Sequence, residues 1–251
     1  MTKKIIHWYR FTDSQSFYLL AGKVIPWAWA LTVVFGVVGL SIGFLVAPTD
    51  AQQGETYRII FLHVPASWMS IFVYLAMAFL AGLGLAYNLR LLGMVVQALA
   101  PTGALFAFLS LWTGALWGKP SWGTYWVWDA RLTSELILLF LYLGFISLQS
   151  AIDDSRRADR AGAILLLVGV INIPIIYFSV KWWNTLHQGA SISLARSSSM
   201  ETTMLAGILL CTLACGMYAI AVALMRARNI MLERERHTEW VHSELLREER
   251  K

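Results

Sequence analysis

Two of the five histidines stand where they could do chemistry. His63 lies in YRIIFLHVPASW (57–68) and His187 in WWNTLHQGAS (182–191), each where a polar stretch meets an apolar run. Neutral imidazole is the commonest side-chain metal ligand. Between them in sequence lies WGKPSWGTYWVWDARLT, residues 117–133. It carries four tryptophans (Trp117, Trp122, Trp126, Trp128), one tyrosine, a proline, and the glycines Gly118 and Gly123. Tryptophans of an apolar core do not need Gly, Pro, Asp and Arg among them. A docking surface for a large flat ligand does, because indoles cover a flat ring by apolar contact and stacking.

Taken together, these residues could hold a metal porphyrin, with two histidines from different loops ligating its opposite faces. The anionic edge of such a ring would need cations, and Arg58, Lys119, Arg131 and Arg196 are available, arginine suiting a carboxylate by two-point contact. Asp129 and Arg131 flank Ala130 and could pair with each other, shape the loop or meet the ligand. Glu135 could pair with Arg131 at i, i+4.

Plainer readings compete. A lone interfacial histidine is often a hydrogen-bonded structural residue. Tryptophans gather at membrane interfaces as anchors, and Trp27, Trp29 and Trp68 read that way. Trp182 and Trp183 could be anchors or could cap the site. His7, His237 and His242 sit in charged termini and read as solvated. Cys211 and Cys215, four apart in an apolar run, read as small buried residues; they form no CxxCH and are poorly placed for a disulfide within one helical turn.

These candidates must be positioned by membrane helices. The 251-residue chain is 58% hydrophobic and 14% charged, against about 45–50% and 25% in soluble domains. Apolar runs long enough for a bilayer core, which takes about 20 residues, predict six spans near 26–46, 62–87 (with Pro65 in its first turn), 93–116, 132–150, 162–180 (containing Pro174) and 203–225. The fold class is therefore an all-α integral membrane protein with six transmembrane helices. A segment 1–25 precedes one membrane domain (26–225), and a charged tail (226–251) follows it, read as an amphipathic or solvated helix. The first run is too long for a signal-peptide core.

Lys and Arg are unevenly divided. Lys3, Lys4, Arg10, Lys23, Arg90, Arg156, Arg157, Arg160 and seven more in the tail lie on one side, against Arg58, Lys119, Arg131, Lys181 and Arg196 on the other. The positive-inside rule puts both termini in the cytoplasm. The Trp-rich loop and both histidine loops then face the periplasm. The charge of +5 collects at the ends of apolar runs, which argues against nucleic acid. No nucleophile–base pair, phosphate loop or zinc spacing occurs, so any ATP is bound elsewhere, and the chain reads as a non-enzymatic component.

WGTYWVWDARLT resembles the tryptophan-rich "WWD" signature of membrane proteins that handle heme in cytochrome c maturation. With LHVP around His63 and LHQG around His187, the chain is similar over about residues 26–228 to the CcmC family. That resemblance implies a bacterial inner-membrane protein holding non-covalent, b-type heme. His63 and His187 would be axial ligands. Trp117, Gly118, Trp122, Gly123, Trp126 and Trp128, with Asp129 and Arg131, would form the platform. It also implies presentation of heme to the periplasmic chaperone CcmE, which takes it covalently through its own histidine. The ABC transporter subunits CcmA and CcmB, the small subunit CcmD and membrane lipid would be its neighbours.

Other readings predict different behaviour. A bis-histidine electron carrier predicts a redox couple without heme transfer. A conduit predicts polar residues along the span interiors. A scaffold predicts indifference to both histidines. The larger heme lyases bearing the same signature are too long for this chain.

Overall fold

The computed structural model describes residues 13–183, 185–187 and 200–248. Lys3, Lys4, His7, Arg10 and Arg196, singled out above, lie outside them. Helix α1 (Ser14–Ser41) continues through a π-helical turn (Ile42–Val46), and a 3-10 turn (Glu55–Ile59) leads into α2 (Ile60–Tyr87). Then follow α3 (Arg90–Trp122), α4 (Ala130–Ala151), α5 (Ser155–Gly169), α6 (Asn172–Trp182), α7 (Thr202–Arg234) and α8 (Glu239–Glu248). Six stretches are long and apolar enough to cross a membrane, with α5 and α6 together making the fifth. The all-α, six-span class read from the sequence is the one observed.

Several helix ends differ from expectation, because hydropathy marks the bilayer whereas hydrogen bonding marks the helix. α1 begins at Ser14, where Asp13 caps it by accepting from the Ser16 N–H at 2.9 Å. Pro26 is therefore interior. α2 starts at Ile60 behind its 3-10 turn, so Pro65 falls beyond the first helical turn. α7 runs on to Arg234, and two arginines expected in a solvated tail turn inward. Arg226 donates to Thr102 Oγ1 at 2.5 Å, and Arg234 pairs with Asp159 at 2.8 Å.

The fifth span breaks after Gly169 and restarts at Asn172. Pro174 then lies in a first turn, where its missing N–H costs nothing. The Asn172 side chain donates to the Ser134 carbonyl at 2.9 Å.

The core lies among α2, α3, α4 and α5, where Tyr74 and Tyr142 meet edge-on at 5.3 Å beside Phe145, Leu138 and Leu166. Inside a bilayer, helices associate by close packing rather than by escape from water, which favours small residues between them. A Cβ at Gly103 would enter the Tyr142 ring, and one at Gly39 would press on Cys211. Both cysteines are free, Cys211 buried as the sequence suggested and Cys215 only partly so. α1 packs chiefly along α7. Its outer side bares Val33, Val37 and Trp27, the last 74% exposed. In water that would be an aggregation-prone patch; in lipid it is solvated.

Candidate functional site

The Trp-rich segment is not one loop. Its first part, Trp117–Trp122, forms the last turns of α3, and the helix stops at Gly123, whose φ of 77° suits glycine. Asp129 then starts α4 as its N-cap, accepting from the Leu132 N–H at 2.8 Å. Only residues 123–129 lie outside helices. This segment, its neighbour Glu55–Ile59, His63 and His187 gather at one end of the bundle.

A cavity of about 690 Å³ opens there, within the roughly 300–1,000 Å³ usual for organic ligands. Ile60, His63, Val64 and Trp68 of α2 line it. So do Gly114, Trp117, Gly118, Ser121 and Trp122 of α3, together with Arg131, His187, Met200 and Gln53. Both sets follow i, i+3/i+4, i+7/i+8 spacing, one face of each helix.

His63 is held in a defined tautomer. The Thr113 hydroxyl lies 2.5 Å from the Leu109 carbonyl and spends its proton there. Its oxygen, 3.0 Å from His63 Nδ1, then accepts the Nδ1 proton. That leaves Nε2 with its lone pair, the state a metal ligand requires. Trp117 meets the His63 ring edge-on at 5.6 Å, and its Nε1 donates to Gln53 Oε1 at 2.7 Å. A Cβ at Gly114 would come within 3.0 Å of His63 Cε1, so the glycine lets imidazole lie flush against α3.

His187 meets Trp122 edge-on at 4.8 Å. Its Nδ1 lies 3.7 Å from Asp129 Oδ2. Both atoms are buried without a hydrogen-bond partner among the described residues, and their separation is too long for a hydrogen bond. Burial, and then the nearby Arg131, push the His187 pKa below its ordinary value, against the opposing pull of Asp129. The imidazole is thereby kept neutral.

The other sequence candidates divide. Trp126 and Trp128 meet each other at 5.3 Å and, with Gly123 and Asp129, are not among the cavity's lining residues; Trp128 is 77% exposed. Of the four cations proposed for an anionic ligand edge, Arg131 lines the cavity, donating to the Ile176 carbonyl at 2.6 Å. Arg58 is spent on Glu55 and on the Gly43 and Ala47 carbonyls. Lys119 donates to the Gly123 carbonyl at 3.1 Å.

Glu135 does not pair with Arg131. It is buried and accepts from Ser70 at 2.8 Å, because Arg131 turns to α6 instead. Asp129 likewise forms no ion pair with Arg131 or Arg58 among the described residues. Trp182 and Trp183 are half exposed and stay off the cavity wall, Trp182 stacking on Phe178.

Several lining residues escaped the sequence reading, among them Trp68, Gln53 and Gly114. Trp68, read as an anchor, shares a face with Ile60 and Val64, a spacing that was legible. Gln53 and Gly114 carried no such signal. Beneath the cavity runs a short polar seam: Ser67 and Ser110 hydroxyls 2.6 Å apart, then Ser70 and Glu135, closed off by Tyr142 bonded to the Ser70 carbonyl. It ends in the aromatic core and makes no path across the bundle.

Among the described residues no three His, Cys, Asp or Glu side chains converge as a metal site. Two imidazoles suffice for a metal that brings its other ligands with it, as porphyrin iron does. The aromatic lining, the bare Nε2 of His63 and the orphaned Asp129–His187 contact all fit such a ligand.

The family model for CcmC, heme exporter protein C, matches residues 7–242. The heme exporter protein C of Escherichia coli (strain K12) is 48% identical over 239 residues, covering 93% of this chain and 94% of that one. Its counterpart in Haemophilus influenzae is 44% identical over 238 residues, 95% and 96% of the two chains. A ccmC-like mitochondrial protein of cytochrome c biosynthesis from Marchantia polymorpha is 48% identical over 187 residues, 74% and 77% of the two chains.

Proposed function

Because the chain belongs to the CcmC family of heme exporter proteins, we propose that the His63–His187 cavity is where it holds heme before passing it on. As a member of that family it is a multi-pass membrane component of heme export for cytochrome c biogenesis. The observation that carries the finer reading is the pairing of two neutral imidazoles in one cavity, each against an indole edge. His63 and His187 are the axial ligands. Thr113 orients the first. Asp129, 3.7 Å from Nδ1 of the second, would be its carboxylate partner if His187 held the iron, as for ligating histidines elsewhere.

Trp117, Trp122 and Trp68 cover the ring, Gly118 and Gly114 keep α3 close to it, and Arg131 offers the propionates a cation. The bound heme is b-type, without a covalent link to this chain. The cavity faces the periplasm of the inner membrane, by the distribution of Lys and Arg.

Handover needs an open edge, because a heme vinyl must reach the acceptor histidine of the chaperone CcmE. Gly123, Trp126 and the bared Trp128 form the rim where that partner docks. Two iron–nitrogen bonds must then yield, which is the work assigned to the transporter subunits CcmA and CcmB, with CcmD beside them.

The test is chaperone loading. Membranes carrying the wild-type chain should convert apo-CcmE to its heme-bearing form, and His63→Ala/His187→Ala membranes should not. Full loading by the double variant would overturn ligation and favour a scaffold. Heme bound by the wild type but never transferred would favour an electron carrier.

A further inference from the structure

The bundle holds a second cavity at the opposite end. α2 carries His63 near its start, and Ala81, Gly84 and Leu85 near its end line this second space, about 27–33 Å further along the helix. The cavity is about 510 Å³ and lies where the α2–α3 and α4–α5 turns meet. Arg90, Arg156, Arg157 and Arg160 line it. None of these four guanidinium groups has an acidic or hydrogen-bonding partner among the described residues.

The acids present do not neutralise them. Asp159 is held by both terminal nitrogens of Arg234, at 2.8 and 3.1 Å. Asp154 caps α5, accepting from the Arg157 N–H at 2.8 Å. One buried donor is also unspent. Gln149 lines the cavity, and its Oε1 accepts from Arg234 at 3.3 Å. That bond fixes which way the amide points, and its Nε2 is left buried without a partner. An unmet buried donor is costly, so an acceptor is called for.

Leu85, Val96 and Phe145 add an apolar part to its walls. The helices flanking it also bare apolar residues outward, Leu85 on α2 and Ile164 and Val168 on α5. The arginines sit at the ends of spanning helices, the level of lipid headgroups. A basic cavity between spans at that level is suited to an anionic lipid. We propose that this cavity binds one anionic phospholipid, its phosphodiester held by the arginines and Gln149 Nε2 and its acyl chain lying between α2 and α5. A free phosphate shares the headgroup's charge but would leave the apolar walls uncovered.

Native mass spectrometry of the full chain in detergent tests this, with phosphatidylglycerol, phosphatidylcholine or inorganic phosphate added. The wild type should retain phosphatidylglycerol well above phosphatidylcholine and show no phosphate adduct. Arg156→Gln/Arg157→Gln/Arg160→Gln should weaken phosphatidylglycerol retention about 100-fold, as three lost charges imply. Lys23→Gln/Arg236→Gln/Arg247→Gln removes the same charge elsewhere and should leave retention near wild type. Equal retention of the two lipids by the wild type would overturn the proposal, and this arm needs no variant to fold. So would equal loss in both triple variants, or undiminished binding in the first. Phosphate binding as tight as the lipid's would assign the site to a free anion and overturn the lipid reading.

Discussion

The two ends of this bundle each hold a space of similar size, about 690 and 510 Å³, yet their walls differ in chemistry. One is walled by indoles and imidazoles, with His63 Nε2 bare and His187 facing Asp129 without a hydrogen bond. The other is rimmed by guanidinium groups and an unspent amide donor. Helix packing alone would make both holes. The side chains differ, and on them rest the two proposals, a flat metal ring at one end and a phosphodiester at the other. Neutral ligands with bare lone pairs belong where a cation arrives, and unpaired donors belong where an anion arrives.

The largest predicted effect separates the ends outright. His63→Ala/His187→Ala should abolish assembly of c-type cytochromes, read by heme staining, while Arg156→Gln/Arg157→Gln/Arg160→Gln should leave the heme content of the purified chain unchanged. Comparable heme loss from the arginine variant would erase the distinction.

Next in size, Thr113→Val keeps the shape of the side chain but removes the acceptor for His63 Nδ1. Loss of such a partner typically weakens metal binding about 10- to 100-fold, and Thr113→Ser should restore it. Heme titration of the two variants reads this directly, and equal binding by Val and Ser would show that the hydroxyl does not orient the ligand.

Acid should act at the imidazole end through His187. Its pKa in the folded chain lies below the 6.5 of the free side chain, chiefly from burial and then from Arg131. Below about 6.5 the unfolded chain therefore takes up the proton first, so His187 costs stability as pH falls and nothing above that value. Heme affinity should be flat above 6.5 and decline only in more acid buffer. Asp129 is the group that pulls this pKa up, so Asp129→Asn should weaken binding yet move the decline to still lower pH. A decline already under way above 6.5 would contradict the placement of His187.

The smallest effect on heme content belongs to Trp128→Ala. That indole is exposed outside the cavity, so the purified chain should keep its heme while chaperone loading falls. Loss of heme from this variant would move Trp128 from the rim to the wall.

The six spans were legible because hydropathy is a local property of sequence, and the two histidines singled out by residue type meet at one cavity. Division of the Trp-rich stretch was not: Gly123 ends α3 by a left-handed turn that composition does not reveal, and so Trp117 and Trp122 face inward while Trp128 faces out. Glu135 looked like a partner for Arg131 from spacing alone. A carbonyl on α6 and a serine on α2 outbid that pairing, and neither is near in sequence. Trp68 could have been found from its spacing with Ile60 and Val64. The arginine end was visible only as topology, since the α2–α3 and α4–α5 turns meet in space and not in sequence.

The central claim is ligation by both histidines, and the most direct test is an oxidised-minus-reduced visible spectrum of the purified chain, co-expressed with its chaperone, beside His63→Ala and His187→Ala. The account predicts a low-spin, two-histidine spectrum in the wild type that is lost or altered in each variant. A heme spectrum unchanged in both variants, or no heme in the wild type, would contradict it.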